Sequence, residues 1–181
     1  MVNWDSFNVG RDARVDFHQP GAGSAILNRV HDASPSQVFG QINANGQVFL
    51  SNANGVTFGP SASVNVGGLV ATTHDIDDQA FMGGSNQFSR NGSEASVVNQ
   101  GQINVEQYAA LLAPEVRNQG VIVARAQGSV VLVAGESIDL QIDEGGALLD
   151  LRVSAATVEA LVDNGGAVIA PGGYIVHSAI T

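Results

Sequence analysis

Short apolar runs separated by small polar residues recur along the whole chain. Within them, apolar and polar positions either alternate or give way to a brief continuous apolar stretch, and many members are β-branched or aromatic. The clearest runs are 2–9, 47–50, 56–58, 63–66, 120–124, 129–133 and 174–176. Gly, Asn, Asp or Ser bounds these runs. The pattern is typical of short β-strands joined by tight turns and predicts an all-β fold.

The turn sequences repeat along the chain. Asn-Ala-Asn-Gly occurs at 43–46 and again at 52–55, and Val-Val-Asn-Gln-Gly at 97–101 is similar to Val-Arg-Asn-Gln-Gly at 116–120. A related segment, Leu-Val-Asp-Asn-Gly-Gly, follows at 161–166. Asn and Gly tolerate left-handed backbone conformations, so these pairs favour tight turns. One such pair alone fits a hairpin, but recurrence at ~20 residues indicates a solenoid of roughly eight or nine stacked coils.

Two segments interrupt this rhythm. Residues 73–96 are polar with scattered aromatics, which predicts an excursion from the stack with a hairpin around 82–85. Residues 154–164 predict a short helix, because Ser154 suits an N-cap and Gly165 can end the helix. We therefore expect one domain over 1–181 that carries a hairpin outside the coils and one short helix.

The balance of acidic and basic residues argues against two classes of partner. The chain has 17 acidic residues against seven basic ones, all of them Arg, and a formal net charge of −10. Nucleic-acid binding needs clustered Lys and Arg to neutralise phosphates, and an anionic membrane attracts basic patches in the same way. The sequence therefore argues against both partners. Its acidity favours solubility.

Cysteine is absent, so the chain has no disulfide framework, thiol nucleophile or cysteine metal ligand. No apolar run approaches the ~20 residues that a membrane-spanning helix requires. The first residues lack the basic and apolar regions of a signal peptide. We therefore expect the natural protein to begin earlier than Met1.

The residues that could carry chemistry form no complete motif. Histidines stand at 18, 31, 74 and 177, without the spacing of metal ligands. Carboxylates cluster at Asp75, Asp77 and Asp78, and again at Glu136, Asp139, Asp143 and Glu144. These are read as solvated loop charges, as a Ca²⁺ site, or as a pair that cleaves polysaccharide. Nucleotide-binding and serine-hydrolase motifs are absent, and we expect no cofactor and no metal.

The stretch from 49 to 73 points to a known family. Phe-Leu-Ser-Asn-Ala-Asn-Gly-Val-Thr-Phe-Gly at 49–59 and Ala-Ser-Val-Asn-Val-Gly-Gly-Leu-Val-Ala-Thr-Thr at 62–73 resemble the haemagglutination-activity domain. This is the TPS domain, the N-terminal secretion domain of two-partner-secretion exoproteins of the filamentous-haemagglutinin family. Segments 2–10 and 34–42 resemble further motifs of that domain, in the same order. The family turn Asn-Pro-Asn-Gly has Ala53 in place of proline here, which leaves the turn less rigid.

The resemblance implies a right-handed parallel β-helix. It also implies that a signal peptide and further strands precede the Trp4 region in the natural protein. It also implies the function of a secretion and folding-nucleation module for a larger adhesin-like or toxin-like exoprotein. Its partner would be a TpsB-type outer-membrane transporter with periplasmic POTRA domains, and the exoprotein would be secreted or lie on the cell surface. The matching motif residues are the candidates for transporter recognition and folding: Asn52, Asn54, Gly55, Asn65, Gly67 and Gly68.

Two alternatives stay open at this point. The domain could bind a host glycan or protein directly, and its candidate contacts are then the aromatic residues Phe81, Phe88 and Tyr108. It could instead be an enzyme, because polysaccharide-cleaving proteins also use parallel β-helices. Asp139 and Asp143 are the candidate residues for that chemistry. A polysaccharide lyase also needs basic residues, however, and the chain has no Lys and only seven dispersed Arg.

Overall fold

A computed structural model describes residues 1–125 and 127–181. Most strands run parallel and stack in three faces, as in a parallel β-helix. The first face contains β2 (Arg14–Phe17), β5 (Gln41–Ala44), the first halves of β8 (Ser63–Thr72) and β12 (Gln102–Leu112), β14 (Val121–Ala124) and β19 (Ala167–Ile169). The predicted solenoid is therefore confirmed.

The second face lies beyond a bend in β8 and β12. It contains β1 (Val2–Trp4), β3 (Ala25–Val30), β6 (Gln47–Asn52), the second halves of β8 and β12, β15 (Ser129–Ala134) and β20 (Ile175–Ala179). The third face contains β4 (Ser36–Val38), β7 (Val56–Phe58), β11 (Ser96–Asn99), β13 (Glu115–Asn118) and β18 (Leu161–Asn164).

The sequence repeats correspond to coils of the stack. Val97 and Asn99 lie opposite Val116 and Asn118 on the third face, so the similar segments are consecutive coils. Asn118 in turn lies opposite Asn164. The two Asn-Ala-Asn-Gly turns do not stack on each other. They form two successive corners of one coil, between β5 and β6 and between β6 and β7.

A fourth group of strands lies outside the coils and is antiparallel. It contains β9 (Asp75–Ile76), β10 (Gln87–Ser89), β16 (Ser137–Ile142) and β17 (Leu148–Val153), in the order β17-β16-β10-β9. We call this group the outer sheet. It is built from two excursions of the chain, one within 73–96 and a second between β15 and β18 that the sequence pattern does not predict.

The outer sheet covers the outside of the second face. In β6, Val48 and Leu50 point into the coil interior, whereas Phe49 packs in a separate cluster with outer-sheet residues such as Phe88 and Ile138. Strands buried on both sides read as continuous apolar runs, whereas strands buried on one side alternate. This explains why all residues of β6 and β15 are buried, and why each strand contains a continuous apolar run, at 48–50 and at 130–134.

The predicted helix over 154–164 is wrong. Residues 161–164 form β18, which pairs in parallel with β13 and continues the third face. A helix of that length is marginal in water, and backbone pairing with the preceding coil overrides its local pattern. The one α-helix among the described residues is α1 (Asp78–Met82), inside the first excursion, where the Asp77 carboxylate accepts a hydrogen bond from the N–H of Ala80.

The estimate of eight or nine coils is also too high. The second face stacks seven strands, namely β1, β3, β6, β8, β12, β15 and β20. The difference arises because the outer sheet consumes chain that the estimate assigned to coils. Among the described residues, no helix has the length and apolarity needed to cross a bilayer.

Candidate functional site

The corner between β6 and β7 is organised by a buried asparagine. Asn52 is fully buried, and its Nδ2 donates to the carbonyl of Ser34 at 3.1 Å and to Oγ of Ser36 at 3.0 Å. Its Oδ1 accepts from the backbone N–H of Asn54 at 2.9 Å. The side chain thus satisfies polar groups of the preceding coil and of its own turn, which would otherwise be buried without partners.

The next two motif residues complete this corner. The Asn54 side chain is exposed, and its Nδ2 donates to the carbonyl of Asp32 at 2.6 Å. Gly55 has a φ of +119°, which side chains rarely adopt, and its N–H donates to the carbonyl of Asn52 at 3.0 Å. Ala53, where the family has proline, is exposed, and its carbonyl accepts from Oγ of Ser93 at 2.7 Å.

Asn65 belongs to a ladder on the outside of the first face. Its Oδ1 accepts from Asn104 at 3.0 Å, and its Nδ2 donates to Asn43 at 3.3 Å. Asn43 in turn donates to Asp16 at 2.9 Å. The four residues occupy the same position of four consecutive strands. Stacked amides of this kind tie each coil to the next.

Gly67 and Gly68 form the bend where β8 passes from the first to the second face. The N–H of Gly67 donates to the carbonyl of Gly46 at 2.9 Å, and a Cβ at Gly67 would lie 2.8 Å from that oxygen. A Cβ at Gly68 would lie 2.6 Å from Cε1 of Tyr108 on the adjacent strand. Both positions therefore require glycine, because neighbouring coils approach too closely for a side chain.

The six motif residues do not form one site. Asn52, Asn54 and Gly55 lie at the corner between the second and third faces, whereas Asn65, Gly67 and Gly68 lie on the first face and at its corner with the second. Only Asn54 and Asn65 have exposed side chains. The other four act by shaping the backbone of the coils.

The predicted aromatic contact surface is wrong for two of its three residues. Phe88 and Tyr108 are completely buried between the second face and the outer sheet, and Phe81 is half-buried against the same cluster. The Tyr108 hydroxyl donates to Oε1 of Gln47 at 2.6 Å, and burial raises the pKa of this phenol well above its ordinary value. These rings are core residues and offer no aromatic patch to a ligand.

The carboxylates of the first excursion have protein partners. Arg29 of β3 forms ion pairs with Asp75, at 3.3 Å, and with Asp78. The same guanidinium donates to the carbonyl of Ile76. Asp77 caps α1. Arg29 thus ties this excursion to the coils, a role that no sequence motif indicates.

The second group of carboxylates is also engaged. Glu136 accepts from Nε of Arg90 at 2.9 Å and from the N–H of Thr157 at 3.1 Å, and these contacts lower its pKa to about 2. Asp143 accepts from the N–H of Ala147 at 2.9 Å and so closes the β16–β17 turn. Asp139 lies opposite Arg152 in the outer sheet. Within 1–125 and 127–181, no three His, Asp or Glu side chains converge as a metal site.

A groove of about 790 Å³ lies where the first excursion leaves the coils, and Arg29, Arg90, Asn91 and His74 are among its lining residues. His74 is fully buried, and its ring Nε2 lies 2.8 Å from the carbonyl of Gly135, to which it donates. Its Nδ1 has no partner among the described residues. Burial lowers the pKa of this imidazole, because desolvation disfavours its charged form.

Comparison with known proteins agrees with this architecture. The crystal structure of the HMW1 secretion domain from Haemophilus influenzae superposes with a TM-score of 0.83 at 31% identity, over 97% of this chain and 49% of that one. A heme/hemopexin-binding protein of Haemophilus influenzae is 34% identical over 174 residues, which are 92% of this chain and 19% of the relative. Another protein of that name is 38% identical over 101 residues.

The chain thus spans about a fifth of the length of the longer-matching curated relative. A family model described as the TPS secretion domain matches residues 1–175. This range includes the motif corners, the asparagine ladder of the first face, the outer sheet and nearly all of the three faces. The chain therefore belongs to the TPS secretion domain family of two-partner-secretion exoproteins.

Proposed function

We propose that this chain is the secretion and folding-nucleation module of a larger bacterial exoprotein. A cognate TpsB-type outer-membrane transporter with POTRA domains would recognise it in the periplasm and pass it to the cell surface or the medium. The observation that carries the proposal is the placement of the motif residues. Five of them shape corners of the coils, and Asn65 joins adjacent coils. Roles of this kind support a folding template better than an enzyme.

The two ends of the stack are assigned to two steps, namely contact with the transporter and folding of the exoprotein sequence that follows. At one end, β1 pairs only with β3 and β2 pairs only with β5, within the described residues. Strands that precede β1 in the natural protein would stack on this end. Periplasmic domains can bind the edge of an exposed strand by adding a strand of their own, a common mode of peptide recognition. We assign transporter contact to such strand addition and to the exposed Asn54 and Asn65 side chains.

The opposite end presents an apolar edge. In the part of the chain that the structure describes, β18, β19 and β20 each pair with one neighbour only. Exposed apolar side chains stand on or beside them, including Ile169 at 47% and Ile175 at 44% exposure. In a solenoid each coil buries the face of its neighbour. Following exoprotein sequence would stack on this edge, and folding would propagate from it.

The experiment compares export of matched variants. The chain, joined to a signal peptide, is expressed with and without its neighbouring transporter, and protein released to the medium is measured. Asn52→Ala is compared with Asn28→Ala, because Asn28 is also fully buried and donates to a carbonyl of an adjacent coil, that of Phe49 at 3.2 Å. Asn54→Ala measures how much the exposed Asn54 side chain contributes to export.

The pattern of release decides the proposal. We expect release only with the transporter, a loss for Asn52→Ala that exceeds the loss for Asn28→Ala at equal stability, and a smaller loss for Asn54→Ala. Equal release with and without the transporter would refute the proposal. Equal effects of the two buried substitutions would show that stability alone, and not the motif corner, controls export.

The hypothesis of direct binding to a host glycan or protein depends on the three aromatic residues Phe81, Phe88 and Tyr108. Since Phe88 and Tyr108 are core residues, the structure supports no such surface, and we do not propose it. The polysaccharide-cleaving alternative also loses its support. The family is one of secretion domains, and Asp143 serves the β16–β17 turn.

A further inference from the structure

We propose that Asn91 is a site of spontaneous deamidation, the one most reactive in the folded protein among four Asn-Gly sequences. These sequences begin at Asn45, Asn54, Asn91 and Asn164. Asn followed by Gly is chemically susceptible, because a residue without Cβ leaves its backbone nitrogen accessible to the asparagine side chain. Folded structure then decides which pair can rearrange, since hydrogen bonds to the reacting groups must open first.

The pair at 45–46 is held from both sides by Gln19. Oδ1 of Asn45 accepts from the N–H of Gln19 at 2.8 Å, and its Nδ2 donates to the Gln19 carbonyl at 2.7 Å. The N–H of Gly46, which would have to attack, donates to Oε1 of Gln19 at 3.0 Å. Three hydrogen bonds must therefore break before this asparagine reacts.

The other two structural pairs are held in a similar way. Nδ2 of Asn54 donates to the carbonyl of Asp32, and the N–H of Gly55 donates to the carbonyl of Asn52 at 3.0 Å. At the pair 164–165, Asn118 hydrogen-bonds to both the asparagine side chain and the glycine N–H. Its Nδ2 donates to Oδ1 of Asn164 at 2.8 Å, and its carbonyl accepts from the N–H of Gly165 at 2.9 Å.

Asn91 and Gly92 differ in each respect. They are the central residues of a tight turn closed by the N–H of Ser93, which donates to the carbonyl of Arg90 at 3.0 Å. Their φ values of 49° and 81° are both left-handed, as in a type I′ turn. Both residues are exposed. Within 1–125 and 127–181, neither the Asn91 side chain nor the Gly92 N–H has a hydrogen-bond partner.

The reaction needs only water as a co-reactant. The backbone nitrogen of Gly92 attacks Cγ of Asn91 and forms a five-membered succinimide. The bond from Cγ to Nδ2 breaks, and the side-chain nitrogen leaves as ammonia with the proton from the Gly92 nitrogen. Water then opens the ring at either carbonyl and gives aspartate or isoaspartate. No group is oxidised or reduced.

The product changes a contact between the excursion and the motif corner. Ser93, two residues on, donates from Oγ to the carbonyl of Ala53 at 2.7 Å and so ties this turn to the Asn52–Gly55 corner. Isoaspartate lengthens the backbone by one carbon, which is incompatible with the tight turn that places Ser93. The modification also adds a negative charge at the rim of the groove that Arg90 and Asn91 line.

Peptide mapping by mass spectrometry tests the proposal. The folded protein is incubated at mildly alkaline pH, and conversion at the four asparagines is followed over time. We expect conversion at Asn91 to be at least about tenfold faster than at each other site, because every hydrogen bond that must open lowers the reactive population several-fold. The same protein in concentrated urea serves as the matched control, in which all four sites should convert at similar rates.

A Gly92→Ala variant tests the attacking nitrogen, because a Cβ shields it. Alanine is strained at the Gly92 φ of 81°, so slow hydrogen exchange in the coils is measured to check that the variant remains folded. The substitution should slow conversion at Asn91 and leave the other three sites unchanged. The proposal is overturned if another Asn-Gly pair converts as fast as Asn91 in the folded protein. It is equally overturned if Asn91 stays intact when folded while it converts in urea.

Discussion

Tyr108 lies directly opposite Gly68 on the neighbouring strand, with its ring over the space that a Gly68 side chain would occupy. Gln47 lies opposite Gly68 on the other side and accepts the Tyr108 hydroxyl hydrogen bond across it. A buried glycine between two coils thus makes room for a tyrosine–glutamine bridge. A side chain at Gly68 would therefore displace the Tyr108 ring.

Gly68→Ala should destabilise the protein by about 1–3 kcal/mol, because overpacking a rigid core forces side chains from their preferred positions. Urea unfolding of the variant measures this. The cost should fall in a Tyr108→Leu background, where the ring is removed, and a double-mutant cycle isolates the coupling. Additive effects of the two substitutions would contradict the proposed packing.

The chain carries two asparagine ladders that should differ in their contribution to stability. Asn118 is fully buried, accepts from Asn99 at 2.9 Å and donates to Asn164 at 2.8 Å. Asn118→Ala should cost about 1–3 kcal/mol, because its partners are left unsatisfied. Asn104→Ala, in the exposed ladder, should cost less than about 0.5 kcal/mol because water replaces the lost bonds. Equal unfolding midpoints for the two variants would refute this difference.

Acidification should destabilise the protein in two steps. Burial lowers the pKa of His74 below its ordinary 6.5, so the unfolded state binds this proton more readily and stability falls as the pH drops through about 6.5. Contacts with Arg90 and Thr157 lower the pKa of Glu136 from 4.5 to about 2, so its contribution is lost between those values. Urea unfolding measured across this pH range should show both losses.

His74→Gln tests the first step, because glutamine can still donate to the Gly135 carbonyl but does not titrate. The free energy of unfolding of this variant should be nearly constant between pH 7 and pH 5, where that of the natural protein declines. Parallel pH profiles for the two proteins would show that another group controls this step.

Arg29→Met should loosen the first excursion without disturbing the coils. The substitution keeps an unbranched apolar stem but leaves Asp75, Asp78 and the Ile76 carbonyl without their cation, at a local cost of about 1–2 kcal/mol. Hydrogen exchange at 75–82 should accelerate, while exchange in β8 and β12 stays slow. Arg14→Met removes a more exposed ion pair, with Asp16 at 2.8 Å, and should change neither region.

The coils were predictable because their determinants are local. Asn and Gly mark corners, and the recurrence of Asn-Gln-Gly indicates consecutive coils directly, as the pairing of Val97 with Val116 shows. Strand β18 was missed for a physical reason. Its residues also suit a helix, and only pairing with β13 selects the extended form.

The outer sheet and the position of the aromatics were harder to predict. Phe88 is separated from its strand partner Ile138 by a long stretch of chain, and no local signal joins them. One signal is nevertheless present in the sequence. The five consecutive apolar residues of β15, at 130–134, form too long an apolar run for a strand with one solvated side. Such a run indicates that a second layer covers the strand.

That cover has a consequence for how the stack unfolds. In a bare solenoid each coil contacts only its neighbours, so terminal coils can melt one at a time. Here outward residues of five consecutive strands of the second face, Leu27, Phe49, Val70, Tyr108 and Val131, share one apolar cluster with the outer sheet. The outer sheet thus joins five coils through one apolar cluster. We therefore expect these coils to unfold together, whereas the terminal coils of a solenoid without such a sheet would unfold separately.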